Sequence, residues 1–452
     1  MSQVKLFSSS GGARVAKRSG RQKKQKVKKP LKTLAIWLLV ILCLEGLYFF
    51  CIYTNNSFVK KWRTIYINTA MDTMRHQWLA TYFIPKDVID EVRYEYGLVK
   101  AGTVGKESTW GRTDPVPADQ TPSTSNDNIV TLDPNVTHET DQPDAEELTQ
   151  EELEKQAEEN FYSVFWELDR TSMETYLAEH PDTLANGWEH IYINEAGFDD
   201  EGTSIQSTFG EQVLAIDAYN GVLLLRISGK GYRGVLAVGK DPSRLSIEMA
   251  TTLGTAGQLS GTIAEAHNGV LAMNANGFLD PNGAGNGGLL AGYTMSNGKA
   301  YGDHFSAYAY KRIELHEDDL FYIKDALSPV SEDCTDAAEF TPALIVDGKK
   351  IMDDYWTGEQ PRACIGQSEK YEILMLVIEG RYPLEGILGT SVNNCSEILL
   401  QHKCMQAINL DGGSSAMLWF DGEYVTQSSS SPLRYTGGRP LPNAWVYKKA
   451  ES

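Results

Sequence analysis

The sequence predicts an α+β domain with a mixed β-sheet and flanking helices, preceded by a single transmembrane helix and an acidic linker. An apolar run near the N-terminus is long enough to cross a bilayer. Farther along, Asn-Gly and Asp-Gly pairs recur between strand-like runs, and two helix-then-strand units lie among them. Hairpins mixed with helix–strand units are typical of α+β folds, whereas a doubly wound fold requires a more regular alternation.

Charge is distributed very unevenly along the chain. Residues 1–33 carry eleven Lys and Arg and no acidic residue. The remaining 30 of the 41 basic residues therefore face all 60 acidic ones, which gives the rest of the chain a net charge near −30. Such a body repels phosphate backbones, so we expect no nucleic-acid partner.

Residues 34–53, LAIWLLVILCLEGLYFFCIY, contain a single charged residue, Glu45. Their length matches the roughly 20 residues that a membrane-spanning helix needs. Because the basic block directly before them marks the cytoplasmic side, we expect a single-pass anchor in the cell membrane, with a cytoplasmic N-terminus and an extracellular C-terminal domain. The alternatives are a buried core helix, which this basic block disfavours, and a cleaved signal sequence, for which no small-residue cleavage site stands out.

The region after the anchor is expected to be a helical stalk. Ile67, Met71, Met74 and Trp78 recur at helical spacing, Pro85 opens a second helix, and the stalk or the transmembrane helix could support an oligomer. The expected segments are a basic cytoplasmic tail (1–33), the transmembrane helix (34–53), the juxtamembrane stalk (54–100), an acidic, Pro-rich linker (101–159) and an ectodomain (160–452).

The linker is assigned from its composition. Between Trp110 and Asn160, fourteen acidic residues and five prolines stand against two basic residues, so this segment buries too little apolar surface to fold by itself. Its end is expected to merge into a helix around residues 146–168. Thr171 and Glu174 have the spacing of a capping box for a following helix.

Four turn pairs predict hairpins, at residues 220–221, 297–298, 347–348 and 421–422. Between them, Ser260 is expected to cap a helix that ends at Asn268-Gly269 and is followed by the strand VLAMN. Ser396 is expected to cap a second helix, EILLQHKCM, followed by the strand QAINL. Both strands lead into loops rich in Asn and Gly.

Cysteine use is sparse outside the anchor. A disulfide between Cys334 and Cys364 is possible, whereas Cys395 and Cys404 flank the second helix at about 13 Å, which is too far apart for a disulfide. The ectodomain is therefore not a disulfide scaffold.

The motif AINLDGGSSAML, residues 407–418, superficially resembles the nucleophile elbow of a serine hydrolase. That fold requires a catalytic histidine later in the chain, but no histidine follows His402. We therefore exclude Ser414 as a nucleophile.

A metal site is considered at DPNGAGNGG, where Asp280, Asn282 and Asn286 occupy ligand positions of a calcium-type loop. Ala284 and Ala291 stand where two further ligands are needed, so an EF-hand is excluded. We expect no required cofactor, and a calcium ion near Asp280 stays a possibility. A loop braced by its own Asx turns is the favoured interpretation.

Three arginines stand beside turn residues and predict an anion site: Arg362, Arg381 and Arg439. Arginine suits bidentate capture of phosphate oxygens. Asp411 and Glu379 lie at similar strand ends, so a shared pocket with carboxylates and cations is plausible.

The strings QPRACIG, VIEGR, INLDGGSSAM and GGRPLPNAWVY together resemble the phosphodiester glycosidase family over residues 230–450. Bacterial members are often membrane-anchored and linked to extracellular polysaccharides. The resemblance implies hydrolysis of a sugar-1-phosphodiester, acting on an extracellular polysaccharide or cell-wall glycan. It implies a functional set of Asn274, Arg362, Glu379, Arg381, Asn409, Asp411, Gly412, Gly413, Ser414, Ser415, Arg439 and Asn443.

The expected mechanism follows from the leaving group. A phosphate monoester leaves without a strong proton donor, so the site needs cations for the phosphate and a carboxylate near the anomeric carbon. We expect Arg362 and Arg439, with the amides of Gly412 and Gly413, to hold the phosphate, and Asp411 to act as nucleophile or general base.

The remaining site groups have supporting roles in this hypothesis. Glu379 or Asp280 would be a supporting carboxylate, and Asn274 and Asn409 would bind sugar hydroxyls. The alternative is a non-catalytic module that binds anionic wall polymer or acts as a scaffold for exopolysaccharide assembly. A related enzyme that transfers the sugar to another acceptor is a third possibility.

Overall fold

The computed structural model describes residues 29–73, 76–110, 149–197, 200–281, 284–305, 310–351, 358–429 and 438–451. The chain forms two compact units, residues 1–60 and residues 61–452. The first unit contains one helix that is long and apolar enough to cross a membrane, Lys32–Tyr53. Residues 1–28 of the predicted basic tail (1–33) lie outside the described residues, and residues 29–33 belong to the helix Lys29–Tyr53.

The helices and strands are numbered in chain order. The helices are α1 Lys29–Tyr53, α2 Ser57–Met71, α3 Trp78–Thr81, α4 Lys86–Ala101, α5 Gln150–Val164, α6 Arg170–Glu179, α7 Ser260–Ala266 and α8 Val392–Gln401. The strands are β1 Tyr192–Asn194, β2 Gln212–Asp217, β3 Val222–Gly229, β4 Tyr232–Gly239, β5 Leu245–Met249, β6 Gly269–Asn274, β7 Gly277–Phe278, β8 Leu290–Ala291, β9 Thr294–Ser296, β10 Lys299–Tyr301, β11 Lys311–His316, β12 Phe321–Asp325, β13 Cys334–Phe340, β14 Ala343–Val346, β15 Lys349–Lys350, β16 Arg362–Ser368, β17 Ile373–Ile378, β18 Cys404–Asn409, β19 Leu418–Phe420, β20 Glu423–Tyr424 and β21 Asn443–Lys448.

Three large sheets build the body. Sheet A has the order β1-β2-β3-β4-β17-β16-β18-β14-β15, sheet B the order β10-β9-β13-β11-β12, and sheet C the order β20-β19-β6-β21-β5. The main core lies between one face of sheet A and the inner faces of sheets B and C, with Trp445 and Phe321 among its largest side chains. Helices α5, α6 and α8 cover the other face of sheet A, and α7 covers sheet C. The layers are therefore helix, sheet, sheet and helix.

The prediction of helices combined with strands is confirmed, but the prediction of a mixed sheet is wrong. Within the described residues, every neighbouring strand pair of these three sheets is antiparallel. The two helix–strand units were correctly recognised, but their parallel strands are not neighbours. Strand β16 lies between β17 and β18, which α8 connects, and β21 lies between β5 and β6, which α7 connects.

All four predicted hairpins are present, as β2–β3, β9–β10, β14–β15 and β19–β20. Asn297, Asp347 and Asp421 have φ values of 49°, 50° and 41°, and the glycine after each also has positive φ. This backbone is the one that Asn-Gly and Asp-Gly turns favour, because both central residues of a type I′ turn are left-handed.

The predicted helix caps are wrong at all three positions. Ser260 is the first residue of α7 and Ser396 lies inside α8, whose cap is Ser391. Thr171 lies inside α6, which Asp169 caps by accepting from the Ser172 amide. A capping residue must have extended backbone and precede the first turn. Asp169 and Ser391 meet that condition for α6 and α8, whereas Leu259 precedes α7 and provides no side-chain cap. The helix predicted near residues 146–168 is α5, which begins with a capping box between Thr149 and Glu152.

The stalk helix is interrupted. Helix α2 ends at Met71 and α3 begins at Trp78, so the predicted apolar stripe is not continuous. Ile67 at one end is fully buried, Trp78 at the other is half-exposed, and Met74 lies outside the described residues. Helix α4 confirms the predicted second helix after Pro85.

Residues 103–110, which we call the docked segment, contact the body of the second unit. Ser108 exchanges hydrogen bonds with Ile323 of β12, donating its amide at 2.8 Å and accepting at Oγ at 2.7 Å. The Lys311 ammonium is fully buried and donates to the carbonyls of Thr103 and Lys106 at 2.7 and 2.8 Å. Most of the predicted linker, residues 111–148, lies outside the described residues, so its boundaries stay a prediction.

The cysteines outside the anchor are buried and free. The possible disulfide between Cys334 and Cys364 is therefore not formed. Cys334 lies on sheet B and Cys364 on sheet A, where it hydrogen-bonds with the Cys395 thiol of α8.

Candidate active site

Asp411 lies where strands from two different sheets end side by side. It follows β18 of sheet A, and the side-chain amide of Asn274, the last residue of β6 in sheet C, donates to its carbonyl at 2.7 Å. The preceding residue, Leu410, donates its amide to the Ala363 carbonyl of β16 at 2.8 Å, which fixes the exit from the sheet. The structure therefore places Asp411 at a junction of the two sheets.

The environment of Asp411 perturbs its carboxyl group. Burial raises its pKa to about 6, against the lowering effect of a hydrogen bond from Ser415 and of the nearby charges of Arg439 and Arg381. The negative charge of Asp280 acts in the same direction as burial. A carboxyl group with such a pKa exchanges its proton near neutral pH, which suits acid–base chemistry.

The two glycines after Asp411 allow close approach of neighbouring chain segments. A Cβ on Gly412 would lie 2.5 Å from the Pro361 carbonyl oxygen. Gly413 has φ of 62°, and a Cβ there would lie 2.9 Å from Nη1 of Arg381. A larger residue at either position would displace the segment that carries Asp411.

The amides and hydroxyls of this loop differ in availability. The Gly413 amide donates to the Pro361 carbonyl at 3.2 Å, so it is engaged within the protein and not poised for a phosphate as predicted. Ser415 hydrogen-bonds with the Asp411 carboxyl group. Ser414 is partly buried. Among the described residues, no histidine contacts it as the base that a serine nucleophile would need.

Arg439 and Asp280 form a bidentate ion pair beside Asp411. Nη1 of Arg439 contacts Oδ2 of Asp280, Nη2 donates to Oδ1 at 2.8 Å, and Nη2 also donates to the Gly285 carbonyl at 2.9 Å. The guanidinium carbon lies 4.6 Å from the centre of the Phe278 ring. The arginine is thus held rigidly near Asp411, with its fork directed at a carboxylate.

This pairing bears on the calcium hypothesis. The Oδ1 atom of Asp280 also accepts from the Gly285 amide at 2.6 Å, so both carboxylate oxygens have donors. Among the described residues, no group of three or more His, Cys, Asp or Glu side chains is arranged to hold a metal ion. A carboxylate whose oxygens face an arginine and an amide does not fit a cation ligand, and no step of the mechanism below uses a metal.

Arg362 and Arg381 lie close together at the start of β16 and after β17. The buried Arg362 side chain donates from Nε to the Thr390 carbonyl at 3.1 Å and from Nη2 to the Gly358 carbonyl at 3.0 Å. For Arg381, burial lowers the pKa, the positive charge of Arg362 acts in the same direction, and Asp411 opposes both. Arg381 is therefore the cation that faces Asp411 from sheet A, while Arg362 holds two chain segments together.

Glu379 belongs to a separate group of contacts. Its Oε2 accepts from Nε of Arg233 at 2.7 Å and its Oε1 accepts from the Gln427 amide at 2.8 Å. Burial raises its pKa, although these donors act in the opposite direction. Within the described chain, its hydrogen bonds go to these two residues and not to Asp411.

The three asparagines have different surroundings. Asn409 donates from Nδ2 to the carbonyls of Thr341 and Leu410 at 2.8 and 3.0 Å. Asn443 pairs with Asn276, donating to Oδ1 at 3.2 Å and accepting from its amide at 3.1 Å. By contrast, Oδ1 of Asn274 is buried and has no hydrogen-bond partner among the described residues. It is the one of the three with an acceptor left for a ligand hydroxyl.

Two further titratable side chains, Tyr310 and His304, are not among the residues predicted from the sequence. Burial raises the pKa of Tyr310, and the charge of Asp411 raises it further, which places the phenol close to that carboxylate. His304 stacks on Tyr293 at 4.3 Å, and its Nδ1 lies 2.5 Å from the buried Glu339 carboxylate. No local motif marks either residue, because their partners lie on distant strands.

The sequence resemblance is confirmed for part of the chain. Residues 267–448 match the phosphodiester glycosidase family, and this range contains all thirteen of the predicted site residues. Residues 267–448 are thus similar to phosphodiester glycosidase domains, and this part of the chain carries Asp411 at a junction of two sheets.

Solved structures give more distant similarities. The zebrafish N-acetylglucosamine-1-phosphodiester α-N-acetylglucosaminidase catalytic domain, auto-inhibited by its pro-peptide, is 15% identical over 51% of this chain and 82% of that chain, with a TM-score of 0.43. A Synechocystis protein is 16% identical over 54% of this chain and 65% of that one, with a TM-score of 0.36. An exported protein of Burkholderia pseudomallei is 14% identical over 48% and 74%, with a TM-score of 0.34. No curated protein matches the chain.

Proposed function

We propose that this protein hydrolyses a sugar-1-phosphodiester. The observation that carries the proposal is a carboxyl group with a pKa of about 6, Asp411, flanked by two guanidinium groups within the range that matches the family. A phosphodiester is an anion whose reaction develops further negative charge on the leaving phosphate, which arginines stabilise. The carboxylate supplies the nucleophile or base that the anomeric carbon requires.

The geometry modifies the roles assigned from the sequence. Arg381 and Arg439 become the phosphate-binding groups, because both influence Asp411 directly, whereas the Arg362 donors are engaged with backbone carbonyls. Asn274 binds a sugar hydroxyl through Oδ1, which no described residue contacts by a hydrogen bond. Asn409 and Asn443 then support the loops that carry the site.

The position of bond cleavage follows from the role of Asp411. If Asp411 acts at the anomeric carbon, the bond between C1 and the bridging oxygen breaks, and water delivers its oxygen to the sugar. Hydrolysis at phosphorus would instead place the water oxygen on the phosphate monoester. Reaction in ¹⁸O-labelled water, followed by mass spectrometry of both products, separates these routes.

The cellular setting extends the proposal. Helix α1 is long and apolar enough to span a membrane or to serve as a signal anchor. With the basic block before it, we infer a cell-membrane protein with the phosphodiester glycosidase domain outside, acting on an extracellular polysaccharide or cell-wall glycan. An oligomer formed through α1 or the stalk helices remains part of this proposal.

The test is turnover of an aryl- or nucleotide-linked sugar phosphate by the full chain in detergent. Asp411→Asn should abolish release of the sugar, since it removes the ionisable group and keeps the side-chain shape. Asp421→Asn is the matched control, because Asp421 lies on the exposed β19–β20 hairpin at positive φ, where asparagine is also tolerated. Full activity in folded Asp411→Asn protein would refute the assignment.

A second candidate function is a non-catalytic module that binds anionic wall polymer or acts as a scaffold for exopolysaccharide assembly. It is favoured by one observation: Arg439 is already paired with Asp280, and Arg362 with carbonyls, so several expected ligand groups have partners within the protein. Saturable binding of polymer without turnover across a panel of sugar phosphates would favour this candidate. Product analysis with an added acceptor would reveal sugar transfer in place of hydrolysis.

A further inference from the structure

Six large aromatic side chains lie exposed on α2 and on α3 with the residues just after it, and five of them follow Phe58 in the chain. We call these five the aromatic patch: Trp62, Tyr66, Trp78, Tyr82 and Phe83, with exposed fractions of 51%, 42%, 50%, 82% and 58%. A scattered exposed aromatic is normal in a soluble protein, but a contiguous group of five indicates an interaction surface.

The patch is contiguous because the two helices contact each other. The Tyr66 hydroxyl donates to the Leu79 carbonyl of α3 at 2.7 Å. Trp62 and Tyr66 are four residues apart on α2, as are Trp78 and Tyr82 at the end of α3, so each pair shares a helical face.

Each of these helices also has a buried side, so the exposed aromatics are not a sign of missing packing. Ile67 of α2 and Ala80 of α3 are fully buried. Arg93 of α4 donates to Asp72, just after α2, at 2.7 Å, and this hydrogen bond connects α4 to the end of α2. The patch therefore lies on the exposed side of a small packed helical group.

The chain itself limits how far this group can lie from the end of α1. Only Thr54, Asn55 and Asn56 separate α1, which ends at Tyr53, from α2, which begins at Ser57. Three linking residues span at most about 14 Å, whatever the angle between the helices. If α1 spans a membrane, the first turns of α2 must therefore lie near the headgroups.

The composition of the patch fits a membrane interface better than a protein partner. Tryptophan and tyrosine concentrate at the boundary between headgroups and hydrocarbon, because their rings are apolar and their N–H or O–H groups remain hydrated. Lys61 and Arg63 flank Trp62 and supply positive charge in a unit that is otherwise strongly acidic. That charge is complementary to anionic lipid headgroups.

We propose that the aromatic patch docks α2 and α3 onto the headgroup interface of the membrane that α1 crosses. This inference rests on the membrane anchor proposed above and goes beyond it, because a spanning helix alone requires no second contact with lipid. The occupant of the surface is the outer leaflet of the bilayer. The full chain then holds the bilayer in two ways, through α1 and through the patch.

The test uses the full chain in vesicles of phosphatidylcholine and phosphatidylglycerol, with acyl chains brominated close to the headgroup. Bromine quenches tryptophan fluorescence on contact, so the quenched emission reports which indoles touch lipid. In Trp37→Leu, the quenched emission that remains comes from tryptophans other than Trp37. We expect the double substitution Trp62→Ser/Trp78→Ser to remove at least half of that remaining quenched emission. The Trp37→Leu variant, on α1, reports separately whether that helix is inserted.

Trp445→Phe is the matched control. Trp445 is fully buried in the core and its indole nitrogen has no hydrogen-bond partner among the described residues, so its removal lowers total emission but not the quenched part. If the patch variant behaves like this control while Trp37 is quenched, the inference is overturned and the anchor stands. If Trp37 is not quenched, the anchor itself fails.

One further outcome is decisive. A patch variant that keeps the quenched emission but changes from dimer to monomer would replace the membrane by a second copy of this chain as the occupant. Each protein is checked by circular dichroism and elution volume. Should the double variant fail to fold, the single variants Trp62→Ser and Trp78→Ser provide the same comparison, each with about half the loss.

Discussion

The side-chain amide of Asn274 holds the backbone carbonyl of Asp411 at 2.7 Å, across a sequence separation of 137 residues. One group of the asparagine thus positions the carboxylate segment, while its other group, Oδ1, is buried and has no hydrogen-bond partner in the part of the chain that the structure describes. A single residue therefore connects the placement of the catalytic candidate with an acceptor for the ligand.

Asn274→Ala should weaken both functions of that residue. We expect kcat/KM to fall by about 10- to 100-fold, because the acceptor is lost and Asp411 is less firmly placed. The buried hydrogen bond should cost about 1–2 kcal/mol of unfolding free energy. Steady-state kinetics and urea unfolding measure the two effects, and an unchanged kcat/KM would remove Asn274 from the site.

Asp411→Asn should stabilise the protein while it inactivates it. The folded-state pKa of about 6 lies above the usual value of about 3.9, so the folded protein resists ionisation of this group. The stability contributed by the protonated carboxyl group is present below about pH 4 and is lost as the pH rises through 6. We expect the variant to gain about 1–3 kcal/mol at pH 7.5.

The pH dependence distinguishes this effect from a general change in packing. The gain of Asp411→Asn should shrink toward zero below pH 4, where both side chains are neutral. Asp421→Asn should show neither the gain nor its pH dependence. Denaturant unfolding of both variants at several pH values provides the comparison. A gain in unfolding free energy that is independent of pH would contradict the claim that burial raises the pKa of Asp411.

The charges around Asp411 should shift the pH profile in opposite directions. Removing the negative charge in Asp280→Asn should lower the pKa of Asp411, whereas removing the positive charge in Arg381→Gln should raise it. In a plot of the residual kcat/KM against pH, the inflection near pH 6 should move to lower pH in Asp280→Asn and to higher pH in Arg381→Gln. A common direction for both variants would show that another group controls the profile.

Lys240 should be essential for stability far from the site. It is buried and contacts Glu167 at 2.6 Å and Glu372 at 2.8 Å, joining the end of α5 to sheet A. Lys240→Met would leave two buried carboxylates without their cationic partner and should lower the free energy of unfolding by about 3–5 kcal/mol at pH 7.5. The cost should fall at pH 5, since burial raises the pKa of Glu167 and protonation relieves the unpaired charge.

Urea unfolding of Lys240→Met at both pH values tests this expectation. Lys299→Met is the control, because Lys299 is exposed on the β9–β10 hairpin and its loss should change stability by less than about 0.5 kcal/mol. Equal costs for Lys240→Met at pH 5 and 7.5 would show that the lysine acts by packing and not by charge.

The features that the sequence predicted correctly depend on local patterns. The four hairpins follow from residue pairs that favour left-handed backbone, and the position of Asp411 follows from an apolar strand that runs into two glycines. The strand order required nonlocal information, because β16 and β21 enter between strands that the helices connect. Antiparallel neighbours therefore replaced the parallel ones that the helix–strand units suggested.

The site shows the same division. The motif strings identified the arginines, but not that Arg362 is engaged with backbone carbonyls while Arg381 faces Asp411. Nothing in the sequence around His304 or Tyr310 points to Glu339 or Asp411, since each contact joins separate strands or loops. The capping residue of α8 was predicted wrongly for a simpler reason. Ser391 and Ser396 are both residue types that cap helices, and only the backbone conformation decides between them.

The docked segment changes what the acidic stretch can do for the protein. Its upstream end is attached to the body, where Ser108 pairs with β12 and Trp110 stacks on Tyr371, and its downstream end leads into α5, which packs on sheet A. Residues 111–148 thus start and finish on the same folded unit. Whatever path they take, residues 111–148 close a loop of the second unit and are not a tether between the two units.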